Sequence, residues 1–147
     1  MLKKTMLIAV SSLVLLTACK QETKKSATAE QIKQEIVKNN SLNKSTIYYF
    51  HGNKRCQTCQ KIEAYTQEVF DNEFRDTLDM KLINLDAPEN RHFIEKYNLY
   101  SRSVVLAKAE NGQEVDFRNL DKVWVKAGDK QDFQNYITTE VKSFLFN

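Results

Sequence analysis

Apolar and polar positions along this chain change period several times, and each change marks an element. Met6 to Leu16 is apolar apart from Ser11 and Ser12. That run of about eleven residues is too short for a bilayer, which takes roughly 20. Ile32, Ile36 and Val37 share one helical face behind Thr28 and Gln31 in capping-box spacing, predicting a helix over about Ala29 to Asn39. Thr46 to His51 is β-branched and aromatic and reads as a buried strand. After the Gly52-Asn53 turn, Ile62, Tyr65, Thr66, Val69 and Phe70 recur at helical spacing, so a helix begins near Cys56. Asp71 is a restart point for it, and Phe74 and Leu78 extend its apolar face.

Met80 to Leu85 reads as a second strand. Ala87-Pro88-Glu89 starts a helix whose buried face is Phe93, Ile94 and Tyr97. Val104 to Ala109 is a third strand. Asn111-Gly112 is a hairpin turn into a fourth strand through Val115 and Phe117. Asn119 to Gly128 reads as a loop holding Trp124. Asp129 caps a last helix lined by Phe133, Tyr136, Ile137, Val141, Phe144 and Leu145. The first two strands are joined by a helix and are therefore expected to be parallel; the last two form an antiparallel hairpin. The order predicts an α/β fold, with a mixed four-stranded sheet and helices on both faces.

The beginning of the chain bears on where the protein works. Lys3 and Lys4 precede the apolar run, and Leu16-Thr17-Ala18-Cys19 follows it. This resembles a bacterial lipobox, in which the peptide is cut before a cysteine that receives lipid. The resemblance implies a signal peptide over residues 1–18, a polar lipid-attached tether over 19–28 and a folded domain over 29–147. It also implies an extracytoplasmic protein held to a bacterial membrane through Cys19, in a compartment where disulfides persist. The chain carries 22 Lys and Arg against 19 Asp and Glu, a formal charge of +3. Losing Lys3 and Lys4 lowers this to about +1, and with no basic block nothing points to nucleic acid.

Of three cysteines, lipidation of Cys19 leaves Cys56 and Cys59, spaced C-x-x-C. Such a pair serves as a redox couple, as half of a metal site or as a structural staple. The element order and the place of the pair in it resemble the thioredoxin fold. There the first cysteine opens the helix that follows the first core strand. Free N–H groups and the helix dipole favour a thiolate at that point, and Lys54 and Arg55 add positive charge nearby. The resemblance implies that Cys56 attacks a partner and that Cys59, one turn further in, resolves the mixed disulfide. It spans about Ser45 to Phe146, including "INLDAPENRHFIEKYNLYSRSVVLAKAENGQEV".

More narrowly, "YYFHGNKRCQTCQKIE", "INLDAPEN" and "NLDKVW" resemble thioredoxin-like proteins of the ArsF type, called nitrophenyl compound nitroreductase subunits. No phosphate-cradling glycine loop accompanies them, so no cofactor is expected. The chain also departs from the thioredoxin pattern. Ser103, preceded by Arg102, stands where thioredoxins have a cis-proline, and a trans peptide is the default for a non-proline. Phe50 stands where they have a buried acid, which leaves the adjacent His51 as an alternative proton carrier.

Bland readings stand beside the functional ones. His51 is a strand-end residue or a proton shuttle. Arg102 is a solvated loop residue or a substrate contact. Trp124 packs under a loop or joins a binding face. Ser103 is expected to face the dithiol. The cysteines fall two ligands short of structural zinc; His51 and His92 are the only histidines, and His92 reads as a surface residue. Copper(I) or arsenite would need only Cys56 and Cys59. A static disulfide closing so short a loop would constrain the unfolded chain little. The reading that follows is thiol–disulfide exchange with a redox partner protein, with soft-metal binding as its alternative.

Overall fold

β1 (Thr46–His51) is an inner strand of the sheet, and both of its faces find apolar cover. The computed structural model describes residues 44–146 together with Glu30 and Gln34. The stretches expected to form the signal, lipobox, tether and most of a first helix lie outside the described residues; Glu30 and Gln34 are helical. Side chains alternate along a strand. Ile47 and Tyr49 therefore enter one core cluster, while Tyr48 and Phe50 enter another on the opposite face.

β1 runs parallel to β2 (Asp79–Asn84), with Thr46 opposite Asp79 and His51 opposite Asn84. On its other side it pairs antiparallel with β3 (Val104–Glu110), which pairs antiparallel with β4 (Gln113–Asn119). The sheet order is β2-β1-β3-β4. This is the mixed thioredoxin-like sheet expected from the element order, with β3 antiparallel to the other three strands. The β3–β4 turn is Asn111-Gly112, both at positive φ (52° and 78°), as a tight hairpin of this kind requires.

Two long helices cover one face. α1 (Gln57–Val69) contributes Ile62 and Val69. Its backbone continues without a break into a π-helical turn over Phe70–Phe74, so Asp71 does not restart it. α2 (His92–Lys96), led by a 3-10 turn over Pro88–Asn90, covers the other face with Tyr97 and half-buried Phe93. Ile94, expected in that buried face, is 39% exposed. The 3-10 lead-in and the shortness of α2 turn it outward.

The stretch read as a loop holds a four-residue helix, α3 (Val123–Lys126). α4 (Lys130–Leu145) closes the first face with Phe133, Ile137, Val141, Phe144 and Leu145. The Asp129 carboxylate caps it by accepting from the Asp132 N–H (2.8 Å). Among the described residues no helix is long and apolar enough to cross a membrane. Burial of each large apolar side chain in these clusters stabilises the fold by about 1.5–3 kcal/mol.

The topology brings four chain segments to one end of the sheet. β1 and β2 end there and β3 begins there. β4 also ends there and leads into α3.

Candidate functional site: the Cys56–Cys59 dithiol

Cys56 is the N-cap of α1. Its extended backbone (φ −74°, ψ 165°) leaves Sγ facing the free end of the helix, where it accepts from the Cys59 N–H at 3.1 Å. Sulfur thus occupies the place an Asp or Ser oxygen usually takes. Cys56 and Cys59 form a disulfide, with Cα atoms 5.0 Å apart. Cys56 is exposed, whereas Cys59 is 5% exposed on the inner side of the first turn. One sulfur can therefore meet a partner and the other cannot.

The residues before Cys56 are pinned by the end of β2. The Asn53 N–H donates to Asp86 Oδ2 (2.7 Å), and Asn84 Nδ2 donates to Asn53 Oδ1 (2.8 Å). The Asp86 N–H donates to Asn84 Oδ1 (3.0 Å), and the Leu85 N–H to the His51 carbonyl (2.8 Å). Gly52 is a matter of space. A Cβ there would lie 2.5 Å from Arg102 Nη2 and 2.9 Å from Asp86 Oδ2, so the bare backbone makes room for the Arg102 guanidinium.

Arg102 is half-buried and borders a cleft with Asp86, Leu99 and Tyr100; Tyr100 is 98% exposed. The Arg102 carbonyl accepts from Trp124 Nε1–H (2.8 Å), so half-buried Trp124 on α3 braces the loop before β3. Ser103 is buried, and its hydroxyl donates to the Ser101 carbonyl (3.2 Å) rather than to a cysteine sulfur. The Ser103 carbonyl accepts from the Phe50 N–H (2.8 Å) and continues the β1–β3 pairing. Among the described residues every peptide bond is trans, Arg102-Ser103 included.

The charge around the pair differs from the simple sum of its basic neighbours. Arg55 is ion-paired with Glu63 on α1, so its positive charge is largely matched. Lys54 is exposed and makes no ion pair among the described residues. His51 is half-buried, with its ring 6.1 Å from that of Tyr49. Its Nδ1 lies 3.2 Å from the Gly52 carbonyl. A carbonyl only accepts, so Nδ1 is the donor in this contact. His92 bonds the Glu89 carbonyl through Nδ1 (2.8 Å) and packs on Phe93. Among the described residues no three His, Cys, Asp or Glu side chains converge as a metal site. Cys19 lies outside the described residues.

One residue of the site was not visible as such in the sequence. Tyr49, on the same face of β1 as α1, donates its hydroxyl to the Cys59 carbonyl at 2.8 Å. Burial pushes its phenol up from the ordinary value, and the Arg55 and Arg102 guanidiniums pull it partly back. Phe50, expected from the thioredoxin resemblance at the position of a buried acid, lies on the opposite face with Tyr48 and Tyr97. The alternation from Ile47 gives the correct face for Tyr49; its partner, ten residues away, comes only from the fold.

No family model matches the chain, and no curated protein matches it. Solved structures with a similar backbone course include Trxlp from Edwardsiella tarda, 12% identical, covering 71% of this chain and 91% of its own (TM-score 0.47). A thioredoxin from Thermus thermophilus is 15% identical, covering 76% and 85% (TM-score 0.47). A poplar thioredoxin h is 19% identical, covering 80% and 94% (TM-score 0.44). These likenesses concern the backbone alone, and the thioredoxin-like fold is read from strand order, strand direction and the helix faces.

Proposed function

We propose that this protein is a thiol–disulfide exchange protein, lipid-anchored through Cys19 outside the bacterial cytoplasm, that reduces or oxidises a protein partner. One observation carries the chemistry: an exposed sulfur at a helix N-cap is bonded to a buried one a single turn away. In the reducing direction the Cys56 thiolate attacks a partner disulfide. A mixed disulfide forms, and one partner sulfur leaves with the electron pair. The Cys59 thiolate then attacks Cys56 Sγ and displaces the second partner sulfur, which takes a proton from water. The partner gains two electrons, and the Cys56–Cys59 disulfide is restored.

The helix N-terminus supplies the main stabilisation of the Cys56 thiolate: the Cys59 N–H donates to that sulfur and the helix dipole favours negative charge there. Lys54 adds a cation that makes no ion pair among the described residues, while Arg55 adds little until Glu63 releases it. Arg102, with Tyr100 and the cleft beside it, is the surface a partner chain would meet. Trp124 holds that surface from behind, and Ser103 fixes its backbone by pairing with Phe50. His51, half-buried at the end of β1, is the candidate proton carrier at the rim. The ArsF-type likeness rests on short segments around the same dithiol, and no nitro-reducing step is assigned to it.

The test is equilibration of the purified protein in glutathione buffers of graded potential. The account expects Cys56 and Cys59 to interconvert between dithiol and disulfide within minutes. A disulfide that stays closed in reducing glutathione while the protein is folded would mark it as a static staple.

A further inference from the structure

We propose that Tyr49 is the positioning residue for Cys59: its hydroxyl, bonded to the Cys59 carbonyl, holds the buried sulfur within attacking reach of Cys56. This rests on the exchange reading above.

Tyr49 is fully buried, and its bond to Cys59 joins β1 to the first turn of α1. The only buried polar or charged residues besides tyrosines and the cysteine, among those described, are Thr46, Thr66 and Ser103. Thr66 bonds the Ile62 carbonyl (2.7 Å) and Ser103 bonds Ser101. The nearest buried carboxylate oxygen along α1 is Glu63 Oε2, one turn after Cys59, and that carboxylate is engaged by Arg55.

Tyr49 itself does not accept the Cys59 proton. Burial keeps the phenol protonated, and its single hydrogen is committed to the carbonyl. The ionisable groups facing it are Arg55 before α1, Arg102 before β3 and His51 at the end of β1, with Glu63 paired to Arg55. The contribution of Tyr49 is thus geometric. In the resolving step the Cys59 proton passes to water or to the rim. The thiolate then bonds to Cys56 Sγ, and the Cys56–partner bond breaks.

The experiment uses the full chain carrying Cys19→Ser, with and without Tyr49→Phe, reduced and mixed with the aromatic disulfide probe dithionitrobenzoate. Attack by Cys56 releases one thionitrobenzoate, and resolution by Cys59 releases the second. Tyr49→Phe is expected to leave the first release unchanged. It should slow the second about three- to tenfold, the worth of one hydrogen bond, with the same pH profile. Ile62→Val, a purely packing change, should lower the melting temperature without slowing the second release. An unchanged second release in Tyr49→Phe, a shifted pH profile for it, or equal slowing in Ile62→Val would each overturn the proposal. Absence of a second release in the parent chain would instead remove the exchange reading itself.

Discussion

Arg55, the residue before the exposed cysteine, is held in an ion pair by Glu63 two turns along α1. The pair sets how much positive potential reaches the Cys56 sulfur. Both side chains are partly exposed, at 29% and 25%, so solvent screens the effect. Glu63→Gln should release Arg55 and raise the thiolate fraction of reduced Cys56. Alkylation by iodoacetamide near neutral pH should quicken about two- to threefold, and its pH profile should move to lower pH. Unchanged alkylation would show that Arg55 does not act on Cys56.

Gly52 separates a local constraint from a functional one. In Gly52→Ala the new methyl group would meet the ends of the Arg102 and Asp86 side chains. Both can move, so the expected loss of stability is only about 1 kcal/mol. Moving Arg102 disturbs the cleft it borders with Tyr100, and moving Asp86 loosens Asn53. Exchange with a protein disulfide should therefore fall severalfold, while exchange with a small disulfide is nearly unaffected. Equal loss with both substrates would contradict a docking role for Arg102.

Trp124 is the only tryptophan of the chain, and its indole N–H reaches the Arg102 carbonyl. Trp124→Phe keeps most of the packing and removes that donor. Chemical denaturation should show a loss of about 0.5–1.5 kcal/mol, the net worth of one such bond. A loss of several kcal/mol would mean that Trp124 is chiefly a packing residue.

The acid limb of stability offers a test remote from the site. Hydrogen bonds from Thr138 and Lys142 hold the Glu73 carboxyl below its ordinary value of 4.5. A depressed carboxyl contributes stability above its unfolded value and loses it as pH falls through the lower native one. Thr138→Val should therefore lower the melting temperature near neutrality and flatten its decline below about pH 4.5. An identical slope in parent and variant would contradict that linkage.

Much of this fold was legible because its signals are local. The β-branched and aromatic run at Thr46–His51 marked β1, and Asn111-Gly112 marked the hairpin. The helical spacing after Cys56 put that cysteine at the start of α1. α3 escaped notice because four residues carry no period. Ile94 was misplaced because a 3-10 turn changes the angle at which a short helix presents its side chains. The dithiol was readable from spacing, but its surroundings were not. Glu63 on Arg55, Asp86 on Asn53 and Tyr49 on Cys59 are contacts that only the folded chain creates. Sequence could name the basic neighbours of Cys56 but could not show that one of them is already paired.

The central claim is that Cys56 meets partners and Cys59 releases them. It is tested most directly by isolating the protein from acid-quenched cells of its host carrying Cys59→Ser or Cys56→Ser, and detecting adducts on non-reducing gels and by mass spectrometry. The account predicts protein partners disulfide-linked to Cys56 in Cys59→Ser and no adducts in Cys56→Ser. No adducts with either variant, or adducts on Cys59 alone, would contradict it.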